Sequence, residues 1–547
     1  MANKLVELLI FLLFGLSSLL FWVLRLLPTL IGRVFRSIRT KKLKKVLHTT
    51  QDYEEWMRAA IELDREAGAL WWRADPRSDV CDSVYLERIV AFLEDFIAEK
   101  KIPELMHLTR SVLLRNFSGV NNSWLYAFCL SGTKEIVEHF HDAVDRALDT
   151  IYASDAPQKR EFFLEAKHCF GRTGLMLSGG ASFGMFHLGL VATLLKFDLL
   201  PGVLCGSSAG SLIAALIGTH SNEELLSLAE DDFTGLDFSF FSSPPPGPRP
   251  SLWQRLRQAF KRGYILDSAS LVEFAKVNTK NLTFAEAFKL TKRVLNITVT
   301  DNHHQKSRIL NYLSAPDVYI WSAAIASCAF PVVYPRARIL AKSKASEEAI
   351  EGVEWLPDER YFFDGSFGGD IPMRAIATLF NVTNFVVAQV NVHILLFSRR
   401  SYYHMHSITY FFKRLIELVL SFIVSEIAHR LRQLNEIHLI PTSLGTYFNI
   451  FFQEYVGNVN IYPNFDLWDV IHIFDNPSPA IVRKWTRRGR NRAFFHKKQI
   501  EDFTKLEKKL SYCVNQLNLK HRVRPIERRN SIEDLTYPKQ SSIHQFS

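Results

Sequence analysis

The run Val203-Leu204-Cys205-Gly206-Ser207-Ser208-Ala209-Gly210-Ser211 leads from an apolar strand through a glycine-flanked turn into the helical stretch Leu212-Ile213-Ala214-Ala215-Leu216-Ile217-Gly218. A G-x-S-x-G turn in that setting lifts its central serine out of a sheet as an exposed nucleophile. Gly206 and Gly210 are read as the glycines of the elbow, because a side chain at either place collides with neighbouring backbone. The N-terminus of the following helix places positive potential beside the reacting oxygen. Ser208 is the candidate nucleophile, with Ser207, off the centre of the motif, as the alternative.

Upstream, the strand-like Leu175-Met176-Leu177 opens into Gly179-Gly180-Ala181-Ser182-Phe183-Gly184. Acyl transfer needs backbone N–H groups aimed at a developing oxyanion, and a glycine-rich turn into a helix supplies them. Gly179, Gly180 and Gly184 are read as that loop. The competing phosphate cradle lacks the Gly-Lys-Ser/Thr of a P-loop and the spacing of a dinucleotide turn. Downstream, Asp364-Gly365 ends the apolar Tyr361-Phe362-Phe363, whose surroundings raise a carboxyl pKa toward that of a general base. A plain Asp-Gly turn is the ordinary alternative, and Asp301 and Asp370 are lesser candidate acids. A triad of Ser208, Asp364 and His393 also runs in the order that α/β-hydrolases use. His187, just past the Gly184 turn, is read as a packing or capping residue.

From Gly174 onward, short apolar runs (Gly174–Ser178, Gly202–Cys205, Val294–Thr300, Arg360–Phe363, Phe385–Val392) alternate with helical stretches. That alternation predicts a mainly parallel sheet covered on both faces. Before it, helical periodicity opens at Tyr53 behind a Thr-Thr cap and recurs over Tyr85–Glu99, His107–Phe117 and Lys134–Leu148, a region without acid/base or nucleophile constellation. The proline-rich Pro244–Pro250 is a surface excursion. The expected organisation is a hydrophobic segment with basic flank over 1–47, a helical lead-in over 48–165, a catalytic domain over 166–400, a helical and lipophilic extension over 401–519, and a disordered tail over 520–547. The lipophilic Tyr402–Arg430 reads equally as a membrane-facing helix, a tunnel wall or a core helix.

The 547 residues exceed what one core needs. A composition 48% hydrophobic and 22% charged excludes global disorder. The net charge of +10 favours a polyanion, either nucleic acid or an anionic membrane. The N-terminus decides for the membrane: Leu5 to Ile31 is almost continuously apolar, long enough to span a bilayer and too long for a signal peptide. Arg33, Arg36, Arg39, Lys41, Lys42, Lys44 and Lys45 follow it, whereas only Lys4 precedes it, which places the body on the cytosolic side. Pro28 and the Gly15–Ser18 break allow a hairpin as well as a single span. On that side the sequons at Asn116 and Asn296 stay unused. Six scattered Cys have no zinc spacing, so no metal is expected. The basic run Arg483–Lys498, interleaved with Trp485, Phe494 and Phe495, reads either as a grip for anionic headgroups or as a solvated helix face.

Taken together, LSGGASFGMFHLGL (177–190), GSSAGS (206–211), LNYLSAPDVYIWSAAIASCAFP (310–331) and DGS (364–366) resemble the patatin-like phospholipase family, and within it the fungal and plant lipid-droplet triacylglycerol lipases. The resemblance spans roughly Tyr53 to Asn458. It implies a three-layer α/β/α fold and a Ser208–Asp364 dyad, with Gly179, Gly180 and Gly184 at the oxyanion and no catalytic histidine, which demotes His393. It implies a glycerolipid substrate. The hydrolysis requires no cofactor, nucleic acid rests on net charge alone and is not an expected partner, and the apolar N-terminus would bring the enzyme to the endoplasmic reticulum or the lipid droplet. Asp364-Gly365-Ser366 departs from the family's usual Asp-Gly-Gly/Ala, as the lipase subgroup does. The His-x4-Asp motif credited with acyl transfer in some relatives is missing, which argues against that activity. A phospholipase or lysophospholipase and a catalytically silent membrane scaffold are the rival readings.

Overall fold

A computed structural model describes residues 39–236, 238, 264, 266, 268–302, 306–331, 333–343, 353–356, 360–366, 371–391, 456–473 and 475–523, with scattered positions between 419 and 437. The apolar run Leu5–Ile31, Pro244–Pro250, Asp370, His393, most of 402–430 and the tail beyond 523 lie outside the described residues. Among those described, no helix is long and apolar enough to cross a membrane.

The lead-in is helical: α1 over residues 39–49, α2 Tyr53–Ala67, α3 Ala69–Ala74, α4 Ser83–Ala98, α5 Ile102–Val112, α6 Glu135–Ala153 and α7 Lys159–Phe170. The cap of α2 is Asp52 rather than a threonine, its carboxylate accepting the Glu55 N–H. Buried Asp64 accepts the amides of Leu130 and Ser131, which ties the following loop to α2.

The sheet runs β4-β3-β2-β1-β8-β9, with β7 also on β3. Its strands are β1 Arg172–Leu177, β2 Val203–Gly206, β3 Val294–Asp301, β4 Ser307–Leu310, β7 Phe362–Asp364, β8 Val382–Ala388 and β9 Val459–Ile461. A separate hairpin holds β5 Leu340–Ala341 and β6 Val353–Glu354. The pairs β1–β2, β1–β8, β2–β3 and β8–β9 are parallel, and β4 and β7 pair antiparallel with β3. Period-two alternation sends Leu175, Leu177, Leu204, Val386 and Ala388 into one core. Met176, Val203, Cys205 and Val387 enter the other, against Ile376 and Phe380. The expected mainly parallel sheet, packed on both faces, is present. Four strands escaped the sequence reading, β5 and β6 of the hairpin and β4 and β9 of the main sheet; β9 lies within the stretch read as a C-terminal extension. Asn296 is buried in β3, its amide bound to Leu204 O and its carbonyl to Asn311, so that sequon is closed to modification in the folded chain.

The remaining helices are α8 Met185–Lys196, α9 Ala209–Thr219, α10 Asn222–Glu230, α11 Ala269–Asn278, α12 Phe284–Thr291, α13 Ile320–Cys328, α14 Met373–Phe380, α15 Leu467–Ile471 and the 45-residue α16 Pro479–Val523. The last of these carries the basic run 483–498, in which Arg483, Lys484 and Arg487 remain exposed while several of its cations are paired with acids of other segments. Arg487 and Arg490 pair with Asp232, Lys484 and Arg488 with Asp469, and Lys498 with Asp502. Trp485 and Phe494 are buried. This helix also bridges the two halves of the molecule: Arg115 of the lead-in pairs with Glu507, and Tyr126 donates to Asp502. Where α16 crosses α8, a Cβ at Gly189 would lie 1.7 Å from Thr486 O, and one at Gly489 would lie 2.1 Å from Phe186 O. The backbones touch there, so only glycine fits. Gly189→Ala is expected to force the helices apart and cost about 2 kcal/mol or more, read as a lower urea midpoint, with Ala192→Ser on the same helix as the mild control.

Candidate active site

The turn between β2 and α9 is tucked beneath the end of β1. A Cβ at Gly210 would stand 2.2 Å from Leu177 O, and one at Gly206 would stand 2.4 Å from Gly210 O. With both neighbours confined, Ser208 takes φ 50° and ψ −128°, a region that costs a non-glycine residue on the order of 1–3 kcal/mol. Such strain persists only where the surroundings over-determine it. The Ser208 N–H donates to Ser327 Oγ at 2.9 Å, and Ser211 Oγ donates back to Ser208 O at 2.6 Å. Ser208 is half-buried, whereas Ser207 is sealed inside and gives its own N–H to Leu177 O. Of the two serines, only Ser208 is accessible from outside.

The glycine turn follows β1 directly. A Cβ at Gly179 would meet Ser208 Cβ at 2.8 Å and lie 3.5 Å from Ser208 Oγ, which sets the loop against the hydroxyl. Gly180 is held against Val390 O, 2.6 Å from where its Cβ would be. Among the described residues, the amides of Gly179, Gly180 and Ala181 donate to no protein acceptor. They are available to a negatively charged oxygen, as oxyanion donors must be. Gly184 is different: it has ordinary helical φ, and what demands glycine there is Ala209 Cβ at 3.0 Å. It packs the start of α8 against the start of α9. His187 is fully buried and bonded through Nε2 to Ser178 O at 3.0 Å. Burial holds its pKa down at about 4, so the ring is neutral at ordinary pH and its Nε2–H is the donor. It anchors the root of the loop.

Asp364 ends β7, which reaches the site by pairing Asp364 with Val299 on β3. The carboxyl is fully buried. Oδ1 accepts both the Ser366 N–H, at 2.9 Å, and the Ser366 hydroxyl. Oδ2 has no well-formed hydrogen bond among the described residues, and the Ser208 hydroxyl is a polar neighbour of this carboxyl. Burial pushes the acid up to about 6, against the downward pull of the two Ser366 bonds and of Ser208. The structure therefore brings together Ser208, Asp364, Gly179 and Gly180. Asp301, by contrast, pairs with Arg308 at 2.9 Å and is committed to that ion pair. Cys328, buried beside Asp364, has its thiol pushed far up by burial and by that charge, and is inert as a nucleophile. Among the described residues no cluster of His, Cys, Asp or Glu could hold a metal. The sequence reading missed Ser327 and the use of Ser366. A hydroxyl two positions past an aspartate in a turn is a legible signal for the second, and a lone serine near the end of an apolar helix is a fainter one for the first.

A strained serine at a strand-to-helix turn, a raised carboxyl and an open glycine turn are the parts of an α/β ester hydrolase. Comparison with known proteins agrees. Residues 175–377 match the model of the patatin-like phospholipases, and residues 34–168 match a domain of unknown function, DUF3336. Triacylglycerol lipase ptl3 of Schizosaccharomyces pombe is 30% identical over 455 residues, 82% of this chain and 92% of its own length. Triacylglycerol lipase SDP1L of Arabidopsis thaliana is 30% identical over 89% of this chain and 60% of its own. Triacylglycerol lipase 5 of Saccharomyces cerevisiae is 29% identical over 80% and 60%. Among solved structures, VipD of Legionella pneumophila aligns with a TM-score of 0.24 at 15% identity over 40% of this chain and 49% of its own, too slight a likeness to carry an argument. The chain belongs to the patatin-like phospholipase family, whose members are lipid hydrolases.

Two outcomes follow from the carboxyl. Ser366→Ala removes a bond to the ionised form, so the acid limb of the pH–rate profile, expected near pH 6, moves to higher pH. Because the folded pKa of Asp364 lies above its ordinary 3.8, ionisation destabilises the fold progressively as pH rises from about 4 to about 6. Asp364→Asn removes that cost. Its stability relative to wild type is expected to grow by about 3 kcal/mol across this window, read by urea unfolding, while activity is lost.

Proposed function

We propose that this protein releases fatty acids from triacylglycerol through a Ser208–Asp364 dyad. The observation that carries the reading is Ser208, strained and accessible, with the glycine turn on one side and a buried carboxyl raised to about 6 on the other. Asp364 takes the hydroxyl proton as Ser208 Oγ attacks the ester carbonyl carbon. The amides of Gly179 and Gly180 receive the oxyanion. As the tetrahedral intermediate collapses, the C–O bond to the glycerol breaks and the proton passes from Asp364 to the departing alkoxide. Water then attacks the acyl-serine, losing a proton to Asp364; the C–O bond to Ser208 breaks, Asp364 returns the proton to Ser208 Oγ, and the fatty acid leaves. A base near pH 6 is ionised at neutral pH yet still basic enough to accept the proton.

Triacylglycerol is favoured as substrate by the names of the relatives that match over most of this chain. The matching family model, named for phospholipases, supports a phospholipid ester as the second reading. The site of action proposed is the cytosolic face of the endoplasmic reticulum or the lipid-droplet surface. Supporting it are the apolar run Leu5–Ile31 with its basic flank, and Val419, Phe422 and Ile423, exposed at neighbouring helical positions within the lipophilic 402–430 stretch.

Purified wild type and Ser208→Ala are to be compared on triacylglycerol, diacylglycerol and phospholipid emulsions. Wild type is expected to release fatty acid from triacylglycerol, and the variant to lose at least ~10³-fold. Undiminished release by Ser208→Ala would sink the mechanism, and release from phospholipid alone would replace the substrate. Deleting residues 1–38, which leaves α1 in place, is expected to move the protein from floating to soluble fractions in a sucrose gradient of cell extract, and unaltered flotation would overturn the anchor.

A further inference from the structure

Helix α13 carries the apolar run Ile320-Trp321-Ser322-Ala323-Ala324-Ile325-Ala326-Ser327-Cys328, every residue of it buried. Near its C-terminal end two bonds leave within three residues. Ser327 Oγ, fully buried, accepts the Ser208 N–H at 2.9 Å. Ala329 O accepts the Asp364 N–H at 3.1 Å. Ser211, which donates to Ser208 O, also reaches Ala324 O at 3.5 Å on the same helix. The elbow comes from the β2–α9 turn and the carboxyl from β7, and both backbones are fastened to one short piece of chain.

We propose that Ser327 is a positioning residue: by holding the amide of Ser208, it fixes the strained elbow at the spacing from Asp364 that proton transfer requires, with the end of α13 as the common template. This rests on Ser208 and Asp364 being the dyad. The physical reason is local. At φ 50° the Ser208 N–H points out of the turn with no strand or helix carbonyl to accept it. A buried amide left unpaired costs on the order of 1–3 kcal/mol, enough to let the elbow relax. The bond also commits the Ser208 amide, so the oxyanion must be met by the glycine turn instead. The bond from Ser327 is to the Ser208 backbone amide and not to its hydroxyl. Its loss acts through the placement of Ser208 Oγ alone.

The test is steady-state kinetics of full-length Ser327→Ala and Ser327→Cys on an ester emulsion, with phosphonylation of Ser208 by a fluorophosphonate and thermal melting in parallel. The thiol fills the serine's volume and is a poor acceptor, so it separates the lost bond from a cavity and serves where the alanine variant does not fold. Expected are a fall in kcat of about 10- to 100-fold, an equal fall in phosphonylation rate, an unchanged KM and, for Ser327→Cys, a melting temperature lowered by only about a few degrees, so that the protein stays folded at the assay temperature. The acid limb moves to higher pH in step, because Asp364 loses the Ser208 hydroxyl. Wild-type kcat and labelling rate in Ser327→Cys overturn the proposal, as does a loss that vanishes when rates are expressed per active site titrated. Ser208→Ala is run beside them: if it retains activity, the dyad itself is wrong, whereas a dead Ser208→Ala with a fully active Ser327→Cys removes only the role given to Ser327.

Discussion

Backbone crowding where the β2–α9 turn passes beneath the end of β1 is the constraint on which the site depends. With Gly210 pressed under the carbonyls of Leu177 and Ser178, and Gly206 pressed under Gly210 itself, the chain between them has no room to relax. Ser208 is left at a positive φ that its own chemistry disfavours. The same crowding brings the chain leaving β1 alongside the elbow, so the glycine turn that follows β1 has no other place to go. Candidate oxyanion donors and candidate nucleophile are thus juxtaposed by one steric fact, before any polar interaction is counted.

The polar interactions then sort the buried groups by what they are left to do. Asp301 and Asp364 are both fully buried at the β3–β7 pairing, yet their surroundings differ. Asp301 meets guanidinium groups, which stabilise its charge and hold it to a structural task. Asp364 meets only hydroxyl and amide donors, on one oxygen, and keeps a pKa near 6. A carboxylate neutralised by arginine is a poor base, whereas one that is buried and only partly solvated by the protein is a competent one. His187 belongs to the same logic. Buried without a counter-ion, it stays neutral and spends its one N–H on the root of the glycine turn.

Helix α16 changes the meaning of the C-terminal region. It lies outside the stretches matched by either family model, yet it makes backbone contact with α8, the helix that carries the glycine turn into the core. It also holds the lead-in helices through Arg115 and Tyr126. Its many arginines and lysines, which from the sequence could have met a membrane, are largely answered by Asp232, Asp466, Asp469, Glu501 and Asp502. Net positive charge is therefore a poor guide to where this protein presents a basic surface.

What the sequence determined by itself are the features whose cause is local. Glycines that a turn cannot do without, a serine centred between two of them, and an Asp-Gly at the end of an apolar run announce themselves because steric and propensity constraints act over a few residues. Alternation of apolar strands with helices likewise announced a parallel sheet, while β9, three residues long and far down the chain, had no such signal. Tertiary structure decided which hydroxyl would hold the Ser208 amide, which acid would be left without a cation, and that a charged 45-residue helix would lie against α8. Those outcomes depend on residues brought together from distant segments, and no periodicity or short motif records such pairings.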